Sequence, residues 1–332
     1  MGDFRQGGPG PKSRVAVSGE ALLCGAGNRP KVAAEADSGR EGSSRMSGTG
    51  AHGWGFTDDR GTALDAPDRP ARVVAYVRAG AALLDLGVVP VAVYGSGHDG
   101  VEPDPAKDGG LAAAGVPYLG PGRALDEERL RELRPELVVD VTYDGKSPYA
   151  VDEGLVERLG VPLAALSVGN DLSLPAIIGR FGELGAVLGA PVAGPGAGAG
   201  ELEAAEAAVR AAVAAPAGAG RGVLALSGAG VEQVHLARPE AWPELARLAG
   251  LGVRLLDPGP GPGANWLTTG WERALDLAPA LVLYDSRAHA TRPEGPQRLP
   301  AGARLVPWNP EIPPSPAAYA RFFRALAEAL TA

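Results

Sequence analysis

One phrase occurs twice in this chain, and the repeat constrains the fold more than any other feature. ERLRELRPELVVD begins at Glu128 and ERALDLAPALVLYD begins at Glu272. Each copy has a Glu-Arg pair, a short helical run, a Pro seven positions after the Glu, and an apolar strand that opens with Leu-Val. Because 332 residues are enough for two domains of ordinary size, the repeat predicts a duplicated α/β unit.

Strand-like and helix-like segments alternate around both copies, which predicts mainly parallel central sheets flanked by helices. The strands of the first series are RVVAYV, VVPVAVYG, VPYLG, ELVVDVTY and VPLAALSVG, and those of the second are GVLALSG, VRLLD, ALVLYDS and ARLVPW. Between the series, SLPAIIGRFGELGAVLG has Ser173 and Pro175 at its start, so we expect a helix there. The predicted fold has an N-terminal lobe (54–171), one long inter-lobe helix (172–190) and a C-terminal lobe (191–332).

Residues 1–53 are rich in Gly and Ser and lack a sustained apolar period, which predicts a disordered tail. No pattern of a basic stretch followed by an apolar core, as in a signal peptide, is visible there. Leu23 precedes Cys24 where a lipid-anchored protein has a small residue. The sequence leaves open whether Cys24 is modified and whether Met1 or Met46 is the start.

Composition and motifs argue against several classes of function. The net charge of −8, without a basic run, argues against nucleic-acid binding, and no apolar stretch reaches the roughly 18 residues of a membrane span. A single cysteine excludes an internal disulfide, and the four histidines show no ligand spacing, so we expect no metal site and no cofactor. GSGHDG, from Gly95, fits a dinucleotide fingerprint, but the Pro- and Gly-rich loop after it makes a chance match the better interpretation. No catalytic motif is present, so we expect no enzyme.

Aromatic and basic residues collect where the predicted strands end. In an open parallel sheet, ligands bind beyond the carboxyl ends of the strands, so these residues predict a cleft with aromatic walls and a few cations. The candidate ligand-binding residues are Tyr76, Arg78, Tyr143, Lys146, Trp266, Trp271, Tyr284 and Arg287.

The order and spacing of these segments resemble a known family. WGFTDDRGTALDAPDRPARVVAYV, followed by LLDLGVVPVAV and by the two repeated phrases, is similar to the substrate-binding proteins of ABC importers for ferric siderophores, vitamin B12 and haem. The resemblance covers residues from about 54 to 330 and implies two lobes joined by one long helix, with an iron chelate or corrinoid bound between them. It also implies that Glu128 and Glu272 dock onto basic pockets of an ABC permease.

The resemblance implies a role in iron transport. On this hypothesis the chain binds a ferric siderophore in the cleft, with aromatic residues stacking on the ligand and Arg78, Lys146 and Arg287 neutralising chelator oxygens. Cobalamin or haem is the alternative ligand, and an intracellular α/β protein or enzyme that reuses this scaffold is the alternative class. The resemblance implies a monomer outside the cytoplasm, although the lack of a visible signal peptide leaves a cytoplasmic location open.

Overall fold

The computed structural model describes residues 53–191, 198–293, 295 and 298–332. The predicted tail, including Cys24, lies outside the described residues except for Gly53. Within the described part, no helix is both long and apolar enough to cross a membrane.

A parallel five-stranded sheet forms the first half of the described chain. Its strands are β3 (Val73–Tyr76), β4 (Ala92–Gly95), β5 (Tyr118–Pro121), β6 (Leu137–Thr142) and β7 (Leu163–Ser167), in the order β5-β4-β3-β6-β7, and a separate antiparallel hairpin of β1 (Trp54–Thr57) and β2 (Ala63–Ala66) precedes them. The helices of this half are α1 (Val77–Asp85), α2 (Glu127–Leu133) and α3 (Glu153–Leu159). All residues of β3, β4, β6 and β7 are buried, as expected of parallel strands covered on both faces.

The predicted inter-lobe helix is present as α4, Leu174–Val187. Ser173 caps its first turn, because the side-chain oxygen accepts a hydrogen bond from the backbone N–H of Ala176. Phe181, like Ile177 and Leu184, packs into the core of the first sheet, whereas Leu174 packs into the core of the second. The helix therefore shares side chains with both cores.

A six-stranded sheet forms the second half. Its strands are β8 (Gly222–Gly228), β9 (Gln233–Ala237), β10 (Arg254–Leu255), β11 (Trp266–Gly270), β12 (Leu281–Asp285) and β13 (Arg304–Trp308), and its helices are α5 (Ala199–Ala214), α6 (Pro243–Gly250), α7 (Trp271–Asp276) and α8 (Pro316–Thr331). The order is β11-β9-β8-β12-β13, with β10 also paired to β8. β8, β12 and β13 are parallel, but β9 and β11, which the sequence analysis did not predict, are antiparallel additions.

The repeated phrase has the same structure in both halves. It forms α2 and β6 in the first copy and α7 and β12 in the second, and β6 pairs with β3 as β12 pairs with β8. Arg134 (φ 45°) and Ala278 (φ 47°) both leave the right-handed helical region immediately before a proline. A proline disfavours helical geometry in the residue before it, so the shared Pro ends both helices alike. The predicted two-lobed α/β fold with mainly parallel sheets is confirmed.

Candidate functional site

The carboxyl ends of the two sheets meet. Tyr76 ends β3, and its hydroxyl donates a hydrogen bond to the carboxylate of Glu311, three residues beyond the end of β13. Arg78, in the first turn of α1, donates from Nε to the carbonyl of Ile312 at 3.1 Å. Asn309 donates from Nδ2 to the carbonyl of Ala106 at 2.7 Å. This junction is the candidate site: it comprises the contacts between residues 76–107 and 285–312 together with the loop 143–149, which contacts Tyr76 and Arg78.

Glu311 is the central acceptor of the junction. Its carboxylate is 3.0 Å from Nζ of Lys107 and accepts from Nη1 of Arg287 at 2.6 Å, in addition to the Tyr76 hydroxyl. The side chain is only 2% exposed. Burial acts to raise the pKa of Glu311, but the charges of Lys107 and Arg287 outweigh it and hold the pKa at about 2. Glu311 is therefore ionised at neutral pH.

The two cations that contact Glu311 each contact a second carboxylate. Nζ of Lys107 is 2.9 Å from Oδ1 of Asp99, and both side chains are almost fully buried. Arg287 donates from Nη2 to Asp285 at 2.7 Å, and Asp285 also accepts from the hydroxyl of Ser227 at 2.7 Å. The result is a network of buried ion pairs whose members come from both sheets.

Arg78 lies beside this network and is 4% exposed. It donates from Nη1 to the hydroxyl oxygen of Tyr143 at 3.0 Å, in addition to its bond to Ile312. Glu244 is buried, and its carboxyl accepts a hydrogen bond from Nε1 of Trp308 at 3.1 Å. The negative charge of Glu244 stabilises the charged form of Arg78. Burial raises the pKa of Glu244, although the charge of Arg78 opposes that effect.

Tyrosines form the solvent-facing side of the junction. Tyr143 is 39% exposed, and its ring meets that of half-buried Tyr149 edge-on at a centroid distance of 4.9 Å. Tyr149 in turn meets the buried ring of Tyr76 at 5.7 Å. The hydroxyl end of Tyr143 lies inward against Arg78, and its burial raises the pKa of Tyr143 to about 12, so the phenol stays neutral at physiological pH. These side chains offer aromatic faces and neutral hydroxyl groups to a ligand.

Two histidines approach each other from opposite sides of the junction. His98 follows β4 and His289 follows β12, and their ring centroids are 6.0 Å apart. Both residues are exposed to solvent. Partial burial of the ring, and then the charge of Arg287, lower the pKa of His289, which favours the neutral imidazole. Among the described residues, no group of three or more metal-binding side chains occurs.

The structure brings together four of the eight predicted ligand-binding residues: Tyr76, Arg78, Tyr143 and Arg287. Lys146 is exposed in the loop after β6, where its backbone N–H donates to Asp144 at 2.8 Å. This loop is the one that carries Tyr143, so Lys146 lies near the solvent-facing side of the junction.

The other three predicted residues pack within the second half of the chain. Trp266 contacts the rings of Trp242 and Trp308 at centroid distances of 4.8 and 5.8 Å. Trp271 is buried, donates from Nε1 to the Gly230 carbonyl at 3.3 Å, and lies under the guanidinium of Arg298. Tyr284 is buried on the sheet face opposite Asp285, beneath Arg292. Trp266 begins the antiparallel strand β11 and Trp271 begins helix α7, so neither lies at the carboxyl end of a parallel strand. Successive side chains of a strand point to opposite faces, so Tyr284 points away from the junction although it lies at the end of β12.

Sequence analysis missed Lys107, Asp99 and Glu311 as site residues. Lys107 belongs to the Pro- and Gly-rich loop VEPDPAKDGG, and Glu311 belongs to NPEIPP directly after β13. For Glu311, a charged residue between prolines just beyond a strand end is a weak signal for such a position, whereas Lys107 has no comparable signal. Their pairing across more than 200 positions has no local signature in the sequence.

Glu128 and Glu272, the predicted docking residues, are exposed in the first turns of α2 and α7. The neighbouring Glu127 is engaged, because it accepts hydrogen bonds from Arg131 and from Arg158. Glu128 and Glu272 thus hold equivalent places in the two copies of the repeated phrase.

Comparison with known proteins supports the predicted resemblance. No protein-family model and no curated protein sequence matches this chain. Among solved structures, the chain is similar to DesE, a ferric-siderophore receptor protein from Streptomyces coelicolor, with a TM-score of 0.72 and 26% identity over 84% of this chain and 98% of DesE.

Two further solved structures share the fold. A periplasmic haem-binding protein from Pseudomonas aeruginosa matches with a TM-score of 0.57 and 21% identity over 79% of this chain and 93% of its own. The siderophore periplasmic binding protein from the fuscachelin gene cluster of Thermobifida fusca matches with a TM-score of 0.54 and 16% identity, over 79% of this chain and 96% of its own. The resemblance predicted from the sequence is confirmed: this chain is similar in fold to the class III substrate-binding proteins of ABC importers, the type that includes ferric-siderophore and haem-binding proteins.

Proposed function

We propose that this protein is the substrate-binding component of an ABC importer and that it binds a ferric siderophore between its two sheets. The observation that carries the proposal is the junction itself, where the carboxyl ends of both sheets meet around exposed Tyr143, half-buried Tyr149 and the exposed loop of Lys146. Similarity to DesE, whose description is that of a ferric-siderophore receptor, supports this choice of ligand. The role requires binding and release, without a chemical step.

The tyrosines would supply most of the ligand contact. Their ring faces suit the apolar arms of a chelate, and their hydroxyl groups suit its oxygen atoms. Tyr143 and Tyr149 are the accessible rings, whereas Tyr76 and Arg78 are buried and hold the surrounding side chains in place. Contacts of this kind support micromolar or tighter binding, about −8 kcal/mol.

Glu128 and Glu272 are the proposed contacts with the permease. Matched acidic side chains at equivalent places on two lobes fit a transporter with two-fold symmetry, because each would meet the same basic pocket. The proposed working form is a monomer outside the cytoplasm, with an N-terminal lobe at 54–171, a connecting helix at 172–190 and a C-terminal lobe at 191–332.

A titration of the purified protein with ferric siderophores, cobalamin and haem tests this function. Iron chelates quench nearby indoles, and Trp308 ends β13, the strand that leads to Glu311. We expect saturable quenching by a ferric siderophore, weakened at least ~10-fold in Tyr143→Ala, which removes the accessible ring, and much less in Tyr143→Phe. A folded sample that binds none of the ligands would overturn the proposal.

Haem is a second candidate ligand, and one observation favours it. His98 and His289 face each other from opposite sides of the junction, and imidazole is a common ligand of haem iron. Titration with haemin should then give a shifted Soret band that His98→Ala and His289→Ala each alter. A haemin spectrum that the protein leaves unchanged would remove this candidate without affecting the siderophore proposal.

A further inference from the structure

The cations of the junction are already paired with carboxylates of the protein itself. Lys107 is held between Asp99 and Glu311, and Arg287 is held between Asp285 and Glu311. Because these groups are buried, their charges are compensated in place and project little attraction toward a ligand.

The third cation of the junction is also engaged. Arg78 donates to the hydroxyl oxygen of Tyr143 and to the carbonyl of Ile312, and the charge of buried Glu244 acts on it. It is 4% exposed, so a ligand reaches it only by displacing Tyr143 or the segment that contains Ile312.

The junction holds a further carboxylate that no cation contacts in the described residues. Asp104 is 8% exposed and lies across the junction from the loop after β12. Its two oxygens accept hydrogen bonds from backbone amides, Oδ1 from Ala106 at 2.9 Å and Oδ2 from Ala288 at 2.8 Å. Among the buried or nearly buried groups, four carboxylates (Asp99, Asp104, Asp285 and Glu311) face three cations (Arg78, Lys107 and Arg287), and Glu244 is not counted because burial raises its pKa. The exposed Lys146, in the loop that carries Tyr143, adds a fourth cation, so the two charges are equal in number and the cations have no surplus.

We infer that the site selects ferric chelates without net negative charge, such as tris-hydroxamate complexes, and rejects trianionic tris-catecholate complexes. The inference rests on the proposed function and names the chemical class of its ligand. A trianionic chelate would lose its hydration at the junction and meet no surplus of cations in return. To recruit Arg287 it would have to draw that side chain from Asp285 and Glu311, leaving buried Asp285 without a cation and Glu311 with Lys107 alone.

The charge balance gives Arg78 and Arg287 a different role from the one that the sequence suggested. Rather than neutralising chelator oxygens, they fix Tyr143 and Glu311 in place and so shape the accessible tyrosine surface. An uncharged chelate requires ring faces and neutral hydroxyl groups, which Tyr143 and Tyr149 provide.

The test compares the binding of an uncharged and a trianionic iron complex to the same full-length protein. Ferrichrome is an uncharged ferric tris-hydroxamate, and ferric enterobactin is a trianionic ferric tris-catecholate. In a fluorescence or calorimetric titration we expect ferrichrome, or another uncharged or cationic hydroxamate in the panel, to bind at least ~100-fold more tightly than ferric enterobactin. Equal or tighter binding of the catecholate would overturn the inference and leave the proposed function standing, whereas binding of neither class would overturn both.

A charge variant adds an independent measurement. Asp104→Asn removes one negative charge from the junction and keeps an oxygen that accepts from a backbone amide. We expect it to narrow the preference for the hydroxamate by about 10-fold, mainly by strengthening catecholate binding. The matched control is Asp126→Asn, an exposed aspartate that likewise accepts from a backbone amide, that of Arg129, and it should leave the ratio unchanged. An unchanged ratio in a folded Asp104→Asn protein would contradict the charge argument.

Discussion

Replacement of Glu311 by glutamine is the most direct test of how the two sheets are held together. The side chain is 2% exposed and joins Tyr76, Lys107 and Arg287. Loss of one partner from a buried ion pair costs about 3–5 kcal/mol, and we expect the lower end because Lys107 keeps Asp99 and Arg287 keeps Asp285. The depression of the Glu311 pKa from 4.5 to about 2 arises from these same contacts and corresponds to ~3 kcal/mol.

The assay is urea unfolding together with thermal unfolding of the purified protein. A loss of ~3 kcal/mol in a chain of this size should lower Tm by roughly 4–6 °C. Glu328→Gln is the matched control, because it makes the same chemical change at an exposed position of α8. It should change the unfolding free energy by no more than about 0.5 kcal/mol. If Glu311→Gln behaves like Glu328→Gln, the buried network does not hold the sheets together and the reasoning fails.

The same variant predicts a specific dependence on pH. The folded-state pKa of Glu311 lies below its ordinary value, so its stabilisation is fully present above pH 4.5 and is lost as the pH falls toward about 2. The wild-type protein should therefore lose ~3 kcal/mol more than Glu311→Gln over that window. Parallel acid profiles for the two proteins would contradict the assignment of the low pKa to Glu311.

Three further predictions concern docking, the connecting helix and a buried acid. Glu128→Arg combined with Glu272→Arg should leave ligand affinity intact and abolish uptake in cells; uptake that survives the double charge reversal would refute the docking role. Phe181→Ala should lower the unfolding free energy by about 3–5 kcal/mol, because this ring is fully buried where α4 packs against the first sheet, whereas Val187→Ala at the exposed end of the same helix should cost far less; similar losses would show that the helix is not anchored by this face. Burial raises the pKa of Asp140 from 3.8 to about 6, so the native state binds more protons than the unfolded state in that window and stability should fall as the pH rises through it. Asp140→Asn should flatten this decline in urea titrations, and an unchanged slope would argue against the raised pKa.

Local patterns in the sequence were sufficient for most of the architecture. Ser173 and Pro175 marked the start of the connecting helix, which the structure places at Leu174–Val187. The apolar runs predicted the parallel strands of the first half, because strands covered on both faces are buried along their whole length. The antiparallel strands β9 and β11 were missed. β9, QVHLA, does alternate polar and apolar residues after the Gly-rich GAG and so carried a hairpin signal that was overlooked, whereas β11, WLTTG, carries little.

The candidate site was likewise predictable in part from local patterns. Tyr76, Arg78, Tyr143 and Arg287 follow strand ends, and parallel topology brings strand ends together, so their position was predictable. Tyr284 also lies near a strand end, but the direction of its side chain depends on strand register and on which face packs inward. Sequence proximity alone does not contain that information.

The sequence by itself determined that two copies of one α/β unit flank a single helix, because helix caps, apolar periods and prolines act within a few residues of their own position. Only the tertiary structure decided that Glu311 is the acceptor for Tyr76, 235 positions away, and that the cations near it are paired within the protein. Long-range pairing of buried charges depends on how complete sheets face one another, and no local pattern encodes that arrangement.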